Sequence, residues 1–511
     1  MIKIEKKPVQ QKWVMVGIGG GGGKVAADFI LHSRYMRYVV SSVHFLNTAG
    51  EDLANLRQTR LEKAFQNEWI WDVREKNIKK TGIPVDFIKF AFFGTGNNFV
   101  KSRELFEKYI LDSQEFHSRE EHAMPEEYPV EELEPEPRAA EQEYIKGEGE
   151  YDLGLLQSFS DSEESDLDSQ EPSEQTPIEA GGLRNLYSDL IGVQNAILVH
   201  SLGGGTGGGS APLMARWIKE NAGYEDRKPT VISVCFLASI MDGPLRMANS
   251  LHNLMKISKE ADIVLLFSNE ILLKSSSDGK TEEERYLHMN ERIIKAVDVL
   301  LSPTAVSELG GCVSVEFDLN NLKTYLRMIL DDGGSSFPLN IAIPFVSIEG
   351  EKNVAAPVAF NYALGAEQVP IFKGSLLSMV PFFLSSSREV CREEFHNENF
   401  ELYTKQIEVK GLQDSYDLPL ESITGVADFE FRKDSKGIDV LALGLAKLNL
   451  DEYEDVLRSP RVMVKWGEFL QKEQVTSDRL TQRVKEWIDT YNQKIDEFNK
   501  SMAEYNRREA K

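Results

Sequence analysis

The sequence predicts an α/β fold: a parallel-sheet, phosphate-binding domain with a central helix, a second α+β domain, and a long C-terminal helix. Three observations carry this. Two strand-length apolar runs, KWVMVGI and NAILVHS, each end at a glycine cluster and are followed by a helix-spaced segment. Two further runs, PTVISVCFLASI and ADIVLLFSNE, are β-branched and continuously apolar, as strands buried on both faces are. The last 40 residues hold neither Pro nor Gly between regularly spaced apolar positions.

In chain order, residues 12–18 run into Gly19, Gly20, Gly21, Gly22 and Gly23, and KVAADFILHSRYMRYVV then shows helical spacing at Val25, Phe29, Ile30 and Tyr35. SVHFLN is a second strand-length run, and FIKFAFFGTGNN a third, ending at Gly94 and Gly96. From 113 to 181 the pattern collapses into Glu-, Ser- and Pro-rich sequence. Such a segment has too little apolar surface to order itself and reads as an acidic insertion. It is either a flexible surface segment or a partner-binding, phosphorylatable tether, with Ser158, Ser160, Ser162 and Ser165 among acids. Periodicity resumes with NAILVHSLGGGTGGGSAP. ERYLHMNERIIKAVDVLL, with Leu287, Ile293, Ile294, Val297 and Leu300, reads as the central helix, which Pro303 is expected to end. The expected domains are therefore 1–302, 303–458 and a C-terminal helix over 459–511. The seam Leu480, Val484, Trp487, Tyr491, Ile495, Phe498, Met502 and Tyr505 has one phase slip, and suits packing on its own chain or docking between subunits.

Composition narrows the function. At 511 residues and 41% apolar the chain can bury sizeable cores. Cys235, Cys312 and Cys391 lie far apart without a CxxC pair, which argues against a zinc site or a disulfide framework and fits a reducing compartment; no metal held by protein ligands is expected. The start lacks a signal-like apolar stretch and no run is long enough to span a bilayer, so a cytoplasmic location is expected. The formal charge of −24 disfavours direct contact with nucleic acid or anionic lipid. Residues 126–179 alone carry −17, leaving −7 on the rest.

The glycine loops carry the chemistry. A glycine turn between strand and helix brings backbone N–H groups and a helix N-terminus onto phosphate oxygens. Gly17-x-Gly19-x-x-Gly22 fits a dinucleotide fingerprint, but the second strand ends Phe45-Leu46-Asn47-Thr48, without the acid that would hold a ribose. A Walker loop fails as well, since Ile18 replaces its first Gly and Val25 follows Lys24. The second loop, Gly203-Gly204-Gly205-Thr206-Gly207-Gly208-Gly209, adds a hydroxyl and suits a di- or triphosphate lying across the sheet edge.

At this loop the chain resembles the tubulin/FtsZ family, whose signature is GGGTG(T/S)G. The resemblance continues in order over residues 17–290. Gly17 through Gly23 with Lys24 is similar to the FtsZ loop GVGGGGGN, and Asn47-Thr48 to its NTD, with Ala49 in place of Asp. Gly94-Thr95-Gly96-Asn97-Asn98 resembles the γ-phosphate-sensing GAGNN of tubulin. Asp242-Gly243-x-x-Arg246 matches EGxxR, whose acid and Arg contact sugar and phosphate. Asn269-Glu270 falls at the ribose- and base-contacting Asn-Glu of tubulin, while Tyr286 and Asn290 match the Tyr and Asn that stack on guanine and bond its edge. The resemblance implies a parallel-sheet GTPase domain that binds GTP or GDP, with Mg2+ carried by the nucleotide.

It also implies head-to-tail homopolymers, in which a loop of the next subunit completes the hydrolytic site through NxDxxD. The aligned residues are Glu316, Asp318 and Asn321, so one of the two carboxylates becomes an amide. An amide can orient water but cannot act as a carboxylate base. Slow, assembly-dependent GTP hydrolysis is expected, with Asp318 central; the same Asp318 would also cap a helix starting near Leu319. The expected role is cytoskeletal, in division, DNA positioning or cell shape. The alternative is a GTP-binding switch or scaffold with little hydrolysis. A Rossmann oxidoreductase is disfavoured by the missing acid and the second glycine loop.

Overall fold

The structure is a computed structural model that describes residues 13–33, 35–62, 71–72, 77–78, 85–91, 94–111, 180–222, 228–274, 281–308, 312–313, 339–346, 369–372, 378–385, 428–431 and 439–509. The acidic insertion up to residue 179, and Glu316, Asp318 and Asn321, lie outside them. The chain divides into two units, Met1–Ser113 with Pro177–Lys511, and Gln114–Thr176. All described residues belong to the first.

Its first strands are β1 (Trp13–Ile18), β2 (Val40–Asn47), a two-residue antiparallel pair β3 (Trp71–Asp72) and β4 (Asn77–Ile78), and β5 (Val85–Lys89). They are followed by β6 (Asn195–Ser201), β7 (Thr230–Leu237), β8 (Ile263–Ser268) and β9 (Cys312–Val313). The last are β10 (Ile341–Val346), β11 (Ser378–Ser385), β12 (Asp428–Phe431) and β13 (Asp439–Leu445). One sheet runs β5-β2-β1-β6-β7-β8-β10-β13-β11-β12-β9. Every pairing from β5 to β10 is parallel; beyond β10 the sheet is mixed. All of β1, β7 and β8 is buried, which is why their sequences are apolar without alternation.

The helices are α1 (Gly19–His32), α2 (Met36–Val39), α3 (Gly50–Asn55), α4 (Phe99–Phe106), α5 (Ala180–Leu190), α6 (Gly205–Asn221) and α7 (Pro244–Glu260). After them come α8 (Asn269–Lys274), α9 (Glu282–Glu308), α10 (Asp451–Val456), α11 (Pro460–Phe469) and α12 (Ser477–Glu509). Each long parallel strand from β1 to β8 is followed by a helix, so the order reverses between β1 and β6. In open parallel sheets that reversal leaves a crevice at the carboxyl ends of the strands, where ligands bind.

Two expectations change. The central helix α9 does not stop at Pro303 but runs to Glu308. A proline removes one helical N–H, yet the buried row Ile293, Val297, Leu300 and Leu301 holds the helix against the sheet up to it. The C-terminal segment is not one helix either. Ser459 caps α11 through the Val462 amide, with Pro460 at its first position, and a turn separates α11 from α12. Of the two readings of the seam, packing on its own chain is the one observed as far as Ile495. Leu480, Val484, Trp487, Tyr491 and Ile495 are buried, with α12 against α7 and α11. Where the phase slips, Asn492 bonds both the amide (2.9 Å) and the carbonyl (3.0 Å) of Leu448, as a neighbouring strand would. No described helix is long and apolar enough to cross a membrane.

Candidate functional site

The reversal point is framed by the N-termini of α1 and α6, which touch: a Cβ on Gly19 would lie 2.9 Å from the Gly207 nitrogen. Neither helix has an acidic residue in its own first turn, so both present a positive end to the crevice, with the Asp52 carboxylate of α3 beside Gly20. Gly19–Gly23 and Gly205–Gly209 lie in the opening turns of α1 and α6, while Gly203 and Gly204 precede α6; the sequence reading expected loops ahead of both helices. Close packing explains part of the run. A Cβ on Gly22 would stand 2.1 Å from the Val199 carbonyl oxygen, and one on Gly208 1.9 Å from Asn253 Nδ2. Gly21 and Lys24 are exposed, and a Cβ on Gly204 would meet nothing within 4 Å. Gly20, Gly21 and Gly204 thus form the open part, while Gly23, Gly203, Gly205 and Gly207 are buried.

Three buried threonines tie the loops together. Thr206 Oγ1 lies 2.8 Å from Thr48 Oγ1 and 3.1 Å from Thr95 Oγ1, and the Thr95 amide donates to Thr48 Oγ1 at 3.3 Å. The Gly205 amide donates to Gly96 O at 2.9 Å, and Gly94 packs beside Ala49. Asn98 caps α4 by accepting from the Lys101 amide. Asn47 Nδ2 donates to Asp52 Oδ2 at 3.1 Å, which places a carboxylate of α3 beside Gly20. Across the crevice Arg246 donates to Asn97 Oδ1 through Nε and to Asp242 Oδ1 through Nη1, both at 3.1 Å. Asp242 Oδ2 is held by the amide and hydroxyl of Ser239 in a capping box.

The far end of the crevice is built by α8 and α9, which pack together. Asn269 opens α8, and Tyr286 and Asn290 lie four apart on α9, the first half-buried and the second buried. Asn290 Nδ2 donates 2.6 Å to Asp28 Oδ2, and Asp28, itself buried, accepts from Arg60 Nη1 at 2.6 Å. Asn290 Oδ1 and Asn269 Oδ1 are buried without a hydrogen-bond partner. A buried acceptor left unmet is costly, so both oxygens suit a ligand edge rich in donors. The N1–H and N2–H groups of guanine form such an edge.

A profile described as "Tubulin/FtsZ family, GTPase domain" matches residues 180–277, which include the second glycine loop, Asp242, Arg246 and Asn269. Over those residues the chain is similar to that GTPase domain. Similar proteins include the tubulin-like protein CetZ2 of Haloferax volcanii, 32% identical over 23% of this chain and 31% of that protein. Cell division protein FtsZ 1 of Pyrococcus abyssi is 26% identical over 38% of this chain and 48% of its own length. The matches thus span less than half of these curated relatives. Among solved structures, CetZ from Methanosaeta thermophila shares the fold, with a TM-score of 0.51 at 15% identity over 94% of this chain and 98% of that one.

The structure gathers Gly19–Gly23, Thr48, Thr95 and the 203–208 segment at one end, Asn97, Asp242 and Arg246 on one wall, and Asn269, Tyr286 and Asn290 on α8 and α9. Sequence reasoning missed Asp28, Arg60 and Asp52. Asp28 sits four residues after Lys24 amid apolar helix positions, a spacing that marks a buried carboxylate needing a partner. One metal-capable group appears among the described residues, His44 with Asp86 and Asp189. Its imidazole lies between the two acids, with Nδ1 3.5 Å from Asp86 Oδ2 and Nε2 hydrogen-bonded to Asp189 Oδ2 at 3.0 Å. His200, on β6 under the site, is buried next to Ser233 Oγ, and desolvation lowers its pKa to about 3. It is neutral structural material.

Proposed function

We propose that this chain binds GTP and GDP in the crevice between β1 and β6 and assembles head to tail, with hydrolysis at subunit contacts. The observation that carries the binding half is the pairing of two helix N-termini at one end of the crevice with two unmet asparagine oxygens at the other. Phosphates would meet the amides around Gly20, Gly21 and Gly204, Arg246 would take a phosphate or the sugar with Asp242, and Tyr286 would stack on the base. Mg2+ carried by the nucleotide would neutralise phosphate charge, and Asp52 with Thr206 supplies the oxygen donors suited to it. Titration with GTP, GDP and ATP tests this half. Guanine selectivity is expected, and equal affinity for ATP contradicts it.

The assembly half is supported by the family and by the names of its relatives, one of which is a cell division protein. In this reading Asp318 enters the next subunit's site with Glu316 beside it and Asn321 orienting water. The chain then acts as a slow, cytoplasmic cytoskeletal GTPase. Phosphate release should rise more steeply than protein concentration and collapse in Asp318→Ala; equal, concentration-independent rates contradict it. A second reading, a GTP-dependent switch with little hydrolysis, is favoured by Asn321 standing where the family has an acid. Sedimentation with GTP and a slowly hydrolysed analogue separates the two.

A further inference from the structure

Asn249 lies in the middle of α7, fully buried, and its side chain bonds three separate parts of the chain. Nδ2 donates to Asn97 O at 2.8 Å and to Gly203 O at 3.4 Å, carbonyls of the loops that follow β5 and β6. Oδ1 accepts from Trp466 Nε1 at 2.8 Å. An indole N–H can only donate, so it fixes which end of the amide is oxygen and turns both amide hydrogens toward the two loops.

Trp466, on α11, is itself fully buried and held edge-on to Phe99 and His252 at centroid distances of 6.4 and 6.2 Å. Phe99 is the first residue of α4, directly after the 94–98 loop, and Phe469 packs on it at 5.9 Å. Arg103 on α4 pairs with Glu473 just beyond α11. The same C-terminal region reaches the other wall, where Tyr453 Oη donates to Ala238 O at 2.7 Å, next to the 239–242 cap.

We infer that Trp466, acting through Asn249, is a positioning residue for the 94–98 and 203–208 loops, and that it couples the C-terminal helices to the phosphate end of the nucleotide. The coupling to nucleotide rests on the site reading proposed above; the positioning of the loops does not. Linkage is reciprocal, so a ligand that tightens the 94–98 loop also tightens α11, and loosening α11 weakens that ligand. α11 is thereby able to report phosphate occupancy to whatever meets its outer face.

The test is Trp466→Phe, which keeps the aromatic packing and deletes the N–H, alongside Val464→Ser on the exposed face of α11 as control. Without nucleotide, amide hydrogen exchange over 94–98 should accelerate about tenfold in Trp466→Phe, the size of one buried hydrogen bond, and stay unchanged in the control. GTP affinity should fall by a similar factor and GDP affinity by clearly less. Asn249→Ser repeats the test from the loop side, with the same expected signs, should Trp466→Phe not fold. Unchanged exchange over 94–98 overturns the positioning role. GTP and GDP affinities that fall equally, together with the melting temperature, overturn the coupling. A wild-type protein that binds no guanine nucleotide overturns the site reading and the coupling, while the exchange result still decides the positioning role.

Discussion

Thr206, in the first turn of α6, and Thr48, just beyond β2, share a 2.8 Å hydrogen bond across 158 residues of chain, and Thr95 completes the triangle. The three threonines follow different strands, so the cluster sets the spacing of these segments at one end of the crevice. Thr206→Val keeps the shape but leaves two buried hydroxyls short of a partner, a loss of about 1–3 kcal/mol. Urea unfolding should show that loss, and Thr206→Ser should restore most of it.

Gly208 and Gly204 separate folding from binding. An alanine at 208 would drive its Cβ to 1.9 Å from Asn253 Nδ2, which donates to Leu202 O at 2.7 Å, so Gly208→Ala should destabilise by about 3 kcal/mol. At Gly204 the added methyl meets only open space, so stability should change by less than about 0.5 kcal/mol. GTP affinity of Gly204→Ala should nonetheless drop, since the methyl enters the space assigned to phosphate. Parallel unfolding and titration experiments check the contrast.

Asn290 holds its amide end on Asp28, and its Oδ1 is buried without a hydrogen-bond partner. Asn290→Ala should cost GTP about tenfold in affinity, one hydrogen bond to a buried partner, and leave ATP affinity unchanged. Competition binding with both nucleotides reads this directly.

Acid should destabilise the domain through His200 and His252. Both are buried, and desolvation lowers each pKa to about 3, with Lys256, Arg103 and Lys259 adding to the effect at His252. Their folded values lie below the unfolded 6.5, so between pH 6.5 and about 3 the unfolded chain binds protons that the folded chain refuses. Stability therefore falls as pH drops through 6.5 and levels off near 3. At pH 5 each histidine should account for about 2 kcal/mol. Unfolding free energies at pH 7 and pH 5 test this, and His252→Gln should remove about half of the histidine contribution.

Much of the candidate site's pattern was legible because it is local. A strand run followed by glycines and a helix needs no distant partner to be recognised, and i, i+4 spacing puts Tyr286 and Asn290 on one face. What stayed hidden depends on tertiary contact. Asn249 reads as one more polar residue on α7, and Trp466 as one more apolar residue on α11; only the fold joins them. Pro303 misled because a helix stop is a local preference, and the sheet contacts of α9 override it. Gly19–Gly23 and Gly205–Gly209 open helices because the missing side chains let α1 and α6 press against β6 and α7.

The crevice is expected to hold a guanine nucleotide. The direct measurement is to denature the purified protein and identify what it releases by mass spectrometry, followed by titration of nucleotide-free protein with GTP, GDP, ATP and NAD. GDP or GTP in the released fraction, with guanine nucleotides alone rebinding, is the predicted result. Release of NAD or FAD, or no rebinding of GTP, would contradict it.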